Sequence, residues 1–201
     1  MRLTDKVAIV TGGAHGMGEA EARLFAAEGA KVIVADILES EAEIVASDIR
    51  AGGKEAMAAK IDVTSESEWM DLISKVVATY GRLDILVNNA GISGSSVGDP
   101  DGLEGWHRII AVNQTSVFLG TKLAAEQMAK TGGGSIINIS SIMGFVGRAR
   151  ASRVSRIQRR GADLLQSRRS AVRPVRGQGQ HRPSGIHAAD AERDQCRRAR
   201  R

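Results

Sequence analysis

The octet Thr11-Gly12-Gly13-Ala14-His15-Gly16-Met17-Gly18 has the composition of a phosphate cradle. It follows an apolar run at residues 7–10 and precedes a helix-like segment at 19–28. A strand, a glycine turn and a helix start in that order leave backbone N–H groups open, and the helix N-terminus adds partial positive charge. Gly12 suits a tight turn. Gly16 and Gly18 let the backbone approach a ligand and the helix pack close to the strand. His15 and Met17 stand in the same turn and count with it as candidate cofactor contacts.

Further polar residues extend this site. Asp36 lies 18 residues beyond Gly18, at the end of a β-branched run, with Ile37 after it. A dinucleotide-binding fold sets an acid at that point against the adenine ribose. A carboxylate accepts from a free 2′-hydroxyl and repels a 2′-phosphate, which favours NAD over NADP. His15 argues the other way, because a cation in the turn can welcome a phosphate. Asp62 and Val63 can hold an adenine edge by hydrogen bond and packing, with a helix-capping Asp as the alternative. Asn88 and Asn89 precede Ala90 and Gly91 and can fix a loop lining a cofactor; for one of the two, a structural Asx-turn is the alternative. Asn113 sits mid-helix, where Asn is a poor helix former, so a kink or a site role is expected. Ser141, at a strand end, can hydrogen-bond a substrate oxygen.

The elements that position these residues repeat a simple order. Apolar strands are expected at 7–10, 30–36, 55–61, 83–91 and 135–141. Helices are expected at 19–28, at 39–51 with Gly52-Gly53 as the stop, from about residue 64, and at 106–130 ahead of Gly132-Gly133-Gly134. Ser65 and Glu68 have capping-box spacing, and Trp69, Leu72, Ile73, Val76 and Val77 mark a buried helix face. Five apolar strands alternating with helices predict an α/β fold, a Rossmann-like doubly wound parallel sheet with helices on both faces. The glycine turn, Asp36, Asp62, Asn89 and Ser141 all fall at strand carboxyl ends, where such sheets bind ligands.

Composition narrows the class. An apolar fraction of 42% and a charged fraction of 25% are ordinary for a globular protein. No run approaches the roughly 18 apolar residues of a membrane span, so no membrane partner is expected and the cytoplasm is the expected location. Cys196 is the only cysteine, which excludes an intrachain disulfide, and no metal site is expected. The net charge of +5 conceals a division. Residues 1–147 hold 12 Lys+Arg against 19 Asp+Glu, whereas residues 148–201 hold 16 Arg, no Lys and 4 acids. The tail has no aromatic residue for stacking on bases, so no specific nucleic-acid partner is expected from its charge alone.

Thr-Gly-x-x-x-Gly-x-Gly at 11–18, the acid at 36, Asp62-Val63, Asn88-Asn89-Ala90-Gly91, Asn113 and the strand ending Ser140-Ser141 together resemble the short-chain dehydrogenase/reductase family. The match covers residues 1 to about 147, in order and at the right spacing. It implies NAD(P)-dependent interconversion of an alcohol and a ketone on a small-molecule substrate. By the resemblance, Ser141 polarises the substrate oxygen, and Asn113 holds the active-site helix and a proton-relay water. Gly12, Gly16 and Gly18 hold the pyrophosphate, and Asp36 the adenosine ribose. A homo-oligomer is also implied, assembled through helices that include the one carrying a catalytic Tyr.

That helix is where the resemblance breaks. The family pattern places Tyr-x-x-x-Lys about 13 residues after the Ser, the Tyr as general acid/base and the Lys to lower its pKa. A Tyr must fall from a pKa of about 10 to near 7 for that work, which asks roughly 4 kcal/mol of the site. Val154 and Gln158 stand at those positions, and neither can shuttle a proton. The only Tyr in the chain is Tyr80. Residues 1–147 therefore read as an NAD(P)-binding Rossmann domain. Residues 148–201 read as an Arg-rich tail, out of frame, poorly ordered and with no sixth or seventh strand.

A shifted frame accounts for the tail. Choosing the synonymous codons GTA-TCG-CGC-ATC-CAA-AGG for residues 154–159 and reading one nucleotide later gives Tyr-Arg-Ala-Ser-Lys. The same offset over residues 179–185 gives Val-Asn-Ile-Val-His-Pro-Gly, which resembles the family's next strand and its Pro-Gly turn. Two such matches in one frame point to a slip near Gly147.

Overall fold

The computed structural model describes residues 1–99, 102–141 and 170–172. Strands β1 (Val7–Thr11), β2 (Lys31–Asp36), β3 (Ala56–Lys60), β4 (Ile85–Asn88) and β5 (Gly134–Asn138) alternate with helices α1 (Gly16–Ala27), α2 (Glu39–Ala51), α3 (Glu66–Tyr80), α4 (Leu103–Ile110) and α5 (Ser116–Lys130). The sheet order is β3-β2-β1-β4-β5-β6, and the first five strands are parallel. The order reverses between β1 and β4, which places a crevice at the carboxyl ends of those two neighbours.

Alternation along each strand feeds two separate cores. Val7 and Ile9 of β1 pack with Ile33, Trp69, Leu72, Val76, Leu86 and Met128, so α3 and α5 cover that face. Ala8 and Val10 point the other way, into a layer with Ala22, Ala26, Ala42, Val45, Ala46 and Ile49 of α1 and α2. The alanines of this second layer bring two helices close to the strands that carry the glycine turn and Asp36. Both faces of the parallel sheet are thus covered, as the near-continuous apolar strands require.

Element boundaries follow local chemistry. Helix α2 occupies the predicted span, while α1 starts three residues earlier than expected, so Gly16, Met17 and Gly18 form its first turn. Ser65 caps α3, its Oγ accepting from the Glu68 N–H at 3.3 Å. The reciprocal half of the capping box does not form, because the Glu68 carboxylate accepts from the Asp62 N–H at 2.7 Å instead. The long helix expected at 106–130 begins at Leu103 and is interrupted by a π turn, Ala111–Thr115. Asn113 lies inside that turn, so the expected kink takes this form.

One expectation is corrected. Ser170–Val172 forms a short strand, β6, paired antiparallel with β5, Ser135 opposite Ala171. Three residues are too few to raise a period-two apolar pattern, which is why the sequence carries no sign of it. The other expectations for residues 148–201, including Val154 and Gln158, lie outside the described residues. Among the described residues no helix is long and apolar enough to cross a membrane.

Candidate functional site

The glycine turn leaves β1 at Thr11 and enters α1 at Gly16. Gly12 takes φ +64°, and a Cβ there would lie 3.0 Å from both the Ala90 Cα and the Asn89 Nδ2. Position 12 therefore needs glycine for its backbone and for its space. Gly16 also has positive φ, +58°, yet nothing lies within 4 Å of where its Cβ would be. His15, at the N-cap of α1, makes no capping hydrogen bond with its side chain. The first N–H groups of a helix have no partner within it, so this uncapped start, open beside Gly16, is a surface that can take an anion.

Asp36 ends β2 beside this turn. Its Oδ2 accepts from the Ala14 N–H and its Oδ1 from the Leu38 N–H, both at 3.1 Å. Each carboxylate oxygen keeps a second acceptor site, so the group can still receive hydroxyl donors. Ile37, directly after it, is exposed. His15, also exposed, pairs with Glu41 of α2, Nε2 to Oε2 at 3.0 Å. The basic residue of the turn that argues for NADP is thus paired with an acid that sequence spacing did not single out.

Across the switch point, β4 runs into Asn89-Ala90-Gly91. Thr11, a buried residue, joins the two loops: its hydroxyl donates to the Val87 carbonyl at 3.2 Å and accepts from the N–H groups of Asn89 and Ala90, each at 3.0 Å. The Asn89 amide donates to the carbonyls of Thr11 and Gly12 at 2.9 and 3.3 Å. Asn88 turns away from this crevice and donates to the Asn138 Oδ1 at 2.8 Å and the Thr121 Oγ1 at 3.3 Å. The sequence marks Thr11 only as the first residue of the glycine motif and carries no sign of this joining role.

Asn113 uses its whole amide on one residue. Its Oδ1 accepts from the Ile92 N–H and its Nδ2 donates to the Ile92 carbonyl, both at 2.8 Å. The π turn at this point fixes the segment after Gly91 against the α4–α5 helix. Asp62 and Val63 follow β3. The Asp62 Oδ1 accepts from the Thr64 N–H at 2.9 Å and hydroxyl at 2.7 Å. Burial works to raise its pKa, yet the Thr64 hydrogen bonds and the charge of Arg108 hold the carboxyl below its ordinary value. Val63 is buried, and its carbonyl accepts from the Trp69 indole at 2.9 Å. Ser141 is exposed just beyond β5. The crevice thus gathers the turn, Asp36, Asn89 and Asn113, while the Asp62 side chain serves its own loop.

A family model described as short chain dehydrogenase matches residues 6–153. The chain belongs to the short-chain dehydrogenase family. Among its relatives, a 2,5-dichloro-2,5-cyclohexadiene-1,4-diol dehydrogenase of Sphingobium indicum is 46% identical, over 72% of this chain and 58% of that protein. A 3-alpha-(or 20-beta)-hydroxysteroid dehydrogenase of Mycobacterium tuberculosis is 44% identical over 73% of this chain and 55% of its own length. A crystal structure of a hydroxysteroid dehydrogenase from Escherichia coli superposes with a TM-score of 0.65 at 38% identity, covering 70% of this chain and 59% of that one. This short-chain dehydrogenase chain therefore spans somewhat over half the length of the curated relatives it matches. The Rossmann-like fold is shared with the Escherichia coli structure; short-chain dehydrogenases use NAD(P).

Proposed function

We propose that residues 1–147 are a dinucleotide-binding domain that takes NAD, built for oxidising a secondary alcohol to a ketone or the reverse. The single observation that carries the reading is the open, uncapped α1 start beside Gly16, with Asp36 at the neighbouring strand end. The residues present fit the cofactor. Backbone N–H groups of the turn that includes Gly12, His15, Gly16, Met17 and Gly18 receive the pyrophosphate, and Asp36 with Ile37 the adenosine ribose. Asp62 and Val63 take the adenine edge, and Asn89, Ala90 and Gly91 line the nicotinamide side. The bound nicotinamide supplies a hydride acceptor or donor.

On the substrate side, Ser141 hydrogen-bonds the reacting oxygen, and Asn113 is a positioning residue acting through Ile92. The substrate class favoured by the relatives is a cyclic secondary alcohol, since a cyclopentanol dehydrogenase of Comamonas testosteroni is also 43% identical. Val154 and Gln158 stand where the family acid/base pair belongs, so turnover from this chain is lower than the family's by at least the roughly 10²–10⁴-fold that general acid/base catalysis supplies. The family match stops at residue 153, which leaves 154–201 outside it and supports reading most of the tail as out of frame. A cytoplasmic protein that binds NAD without turning it over is the second reading, favoured by the same two substitutions.

Calorimetric titration of NAD, paired with an NAD-linked assay on cyclopentanol, tests both. Binding with little turnover is the expected result. Ordinary turnover refutes the loss of the acid/base pair, and absence of binding refutes the nucleotide site. The nucleotide sequence from Ser141 onward tests the slipped frame separately; an intact frame through Arg201 refutes it.

A further inference from the structure

His15 and Glu41 face each other across the groove between α1 and α2. The His15 Nε2 lies 3.0 Å from the Glu41 Oε2. Beneath them the same two helix starts are tied by Asp36, which accepts from Ala14 on one side and Leu38 on the other. Glu41 thus engages the one imidazole of the turn, and Asp36 the backbone N–H of Ala14 beside it. Lys60 is exposed on β3, in register with Asp36.

Resting on the nucleotide-site reading above, we propose that Glu41 is a specificity-determining residue of that site: it engages His15 and so withholds the one basic side chain of the turn, and the site refuses the 2′-phosphate of NADP. Discrimination is a difference of affinities, and a repulsive element often supplies it. A 2′-phosphate needs a cation to offset the Asp36 carboxylate. His15 is the only basic side chain of the turn, and its Nε2 is already engaged by Glu41. NAD brings no 2′-phosphate to this edge, and its ribose hydroxyls donate to the Asp36 carboxylate. The side chains of His15 and Glu41 are 68% and 40% exposed, so the pair is worth little to the fold and a substitution at Glu41 leaves the protein folded.

The test titrates NAD and NADP by calorimetry into the full chain, its Glu41→Gln variant and the Glu41→Gln/His15→Ala double variant, all of which keep Lys60. Glu41→Gln is expected to bind NADP about five- to tenfold more tightly than the unmodified chain, with NAD changed by less than about twofold. The double variant is expected to lose most of the NADP gain, since the freed imidazole is what receives the phosphate. Equal changes for both nucleotides, or none, overturn the assignment of Glu41. A gain that survives His15→Ala overturns it as stated, because the charge of Glu41 alone then accounts for the effect. If the unmodified chain binds neither nucleotide, the nucleotide-site reading fails and the proposal fails with it.

Discussion

A Cβ on Gly18 would overlap the carbonyl oxygen of Gly12 and come within 2.5 Å of the Asn89 Nδ2. The start of α1 thus rests directly on the turn it leaves and on the loop from β4. This contact holds the helix N-terminus at the switch point between β1 and β4, where the sheet opens.

Gly18→Ala and Gly16→Ala should therefore fail differently. The first meets backbone, which cannot yield cheaply, so α1 must shift and about 1–3 kcal/mol of stability is lost. The second meets no atom, and its cost is the left-handed conformation at φ +58°, about 1–2 kcal/mol. Urea unfolding measures both losses. Calorimetry with NAD separates them further: Gly16→Ala, which puts a methyl into the open side of the turn, should lose binding beyond what its stability loss explains.

Thr11→Val keeps shape and removes one hydroxyl. The N–H groups of Asn89 and Ala90 then lose their acceptor in a largely buried place, and an unsatisfied buried donor costs about 1–3 kcal/mol. Because these two residues begin the loop at the end of β4, their amide hydrogens should exchange faster in the variant, while those of α3 keep their protection. Hydrogen exchange followed by mass spectrometry of the peptide spanning 85–95 checks this.

The fold was legible because its signals were periodic. Apolar runs at β1, β2 and β4 could be neither surface strands nor amphipathic helices, and Gly52-Gly53 and Gly132-Gly133-Gly134 marked two of the helix ends. Asp36 and the glycine turn were legible because an acid at that spacing has few other uses. Glu41 was not, because one acid among Glu39, Glu41 and Glu43 carries no mark until α2 turns it toward His15. Thr11 was hidden for a related reason: its partners lie 76 to 79 residues away, and only the parallel pairing of β1 with β4 brings them together. Glu68 shows the limit of local patterns, since its spacing from Ser65 predicted a reciprocal cap and tertiary placement gave its carboxylate to Asp62.

Two acids should give the stability of this domain opposite dependences on pH. Asp84, at the amino end of β4 and so opposite the carboxyl-end site, is buried and accepts from the Val7 N–H at 3.0 Å, the Arg82 Nε at 2.8 Å and the Lys6 Nζ at 3.3 Å. Burial works to raise its pKa, but the hydrogen bonds from Arg82 and Val7 and the charge of Lys6 outweigh it and hold the carboxyl below its ordinary value. Its stabilisation is therefore complete above the unfolded pKa of about 3.9 and is lost as pH falls through the folded value. Glu21, on α1, is the reverse: its Oε2 is buried with no hydrogen-bond partner among the described residues, and burial raises its pKa. Its contribution is present below the unfolded pKa of about 4.3 and is lost as pH rises through the folded value. Asp84→Asn should cost about 1–3 kcal/mol at pH 7, with the deficit shrinking below about pH 4 as the unmodified protein loses the same interaction. Glu21→Gln should raise the urea midpoint at pH 7, and that gain should vanish under acid. Urea titrations of the three proteins at pH 7 and near pH 3.5 decide the matter, and a Glu21→Gln gain that persists in acid would show that packing, not ionisation, sets the cost at this position.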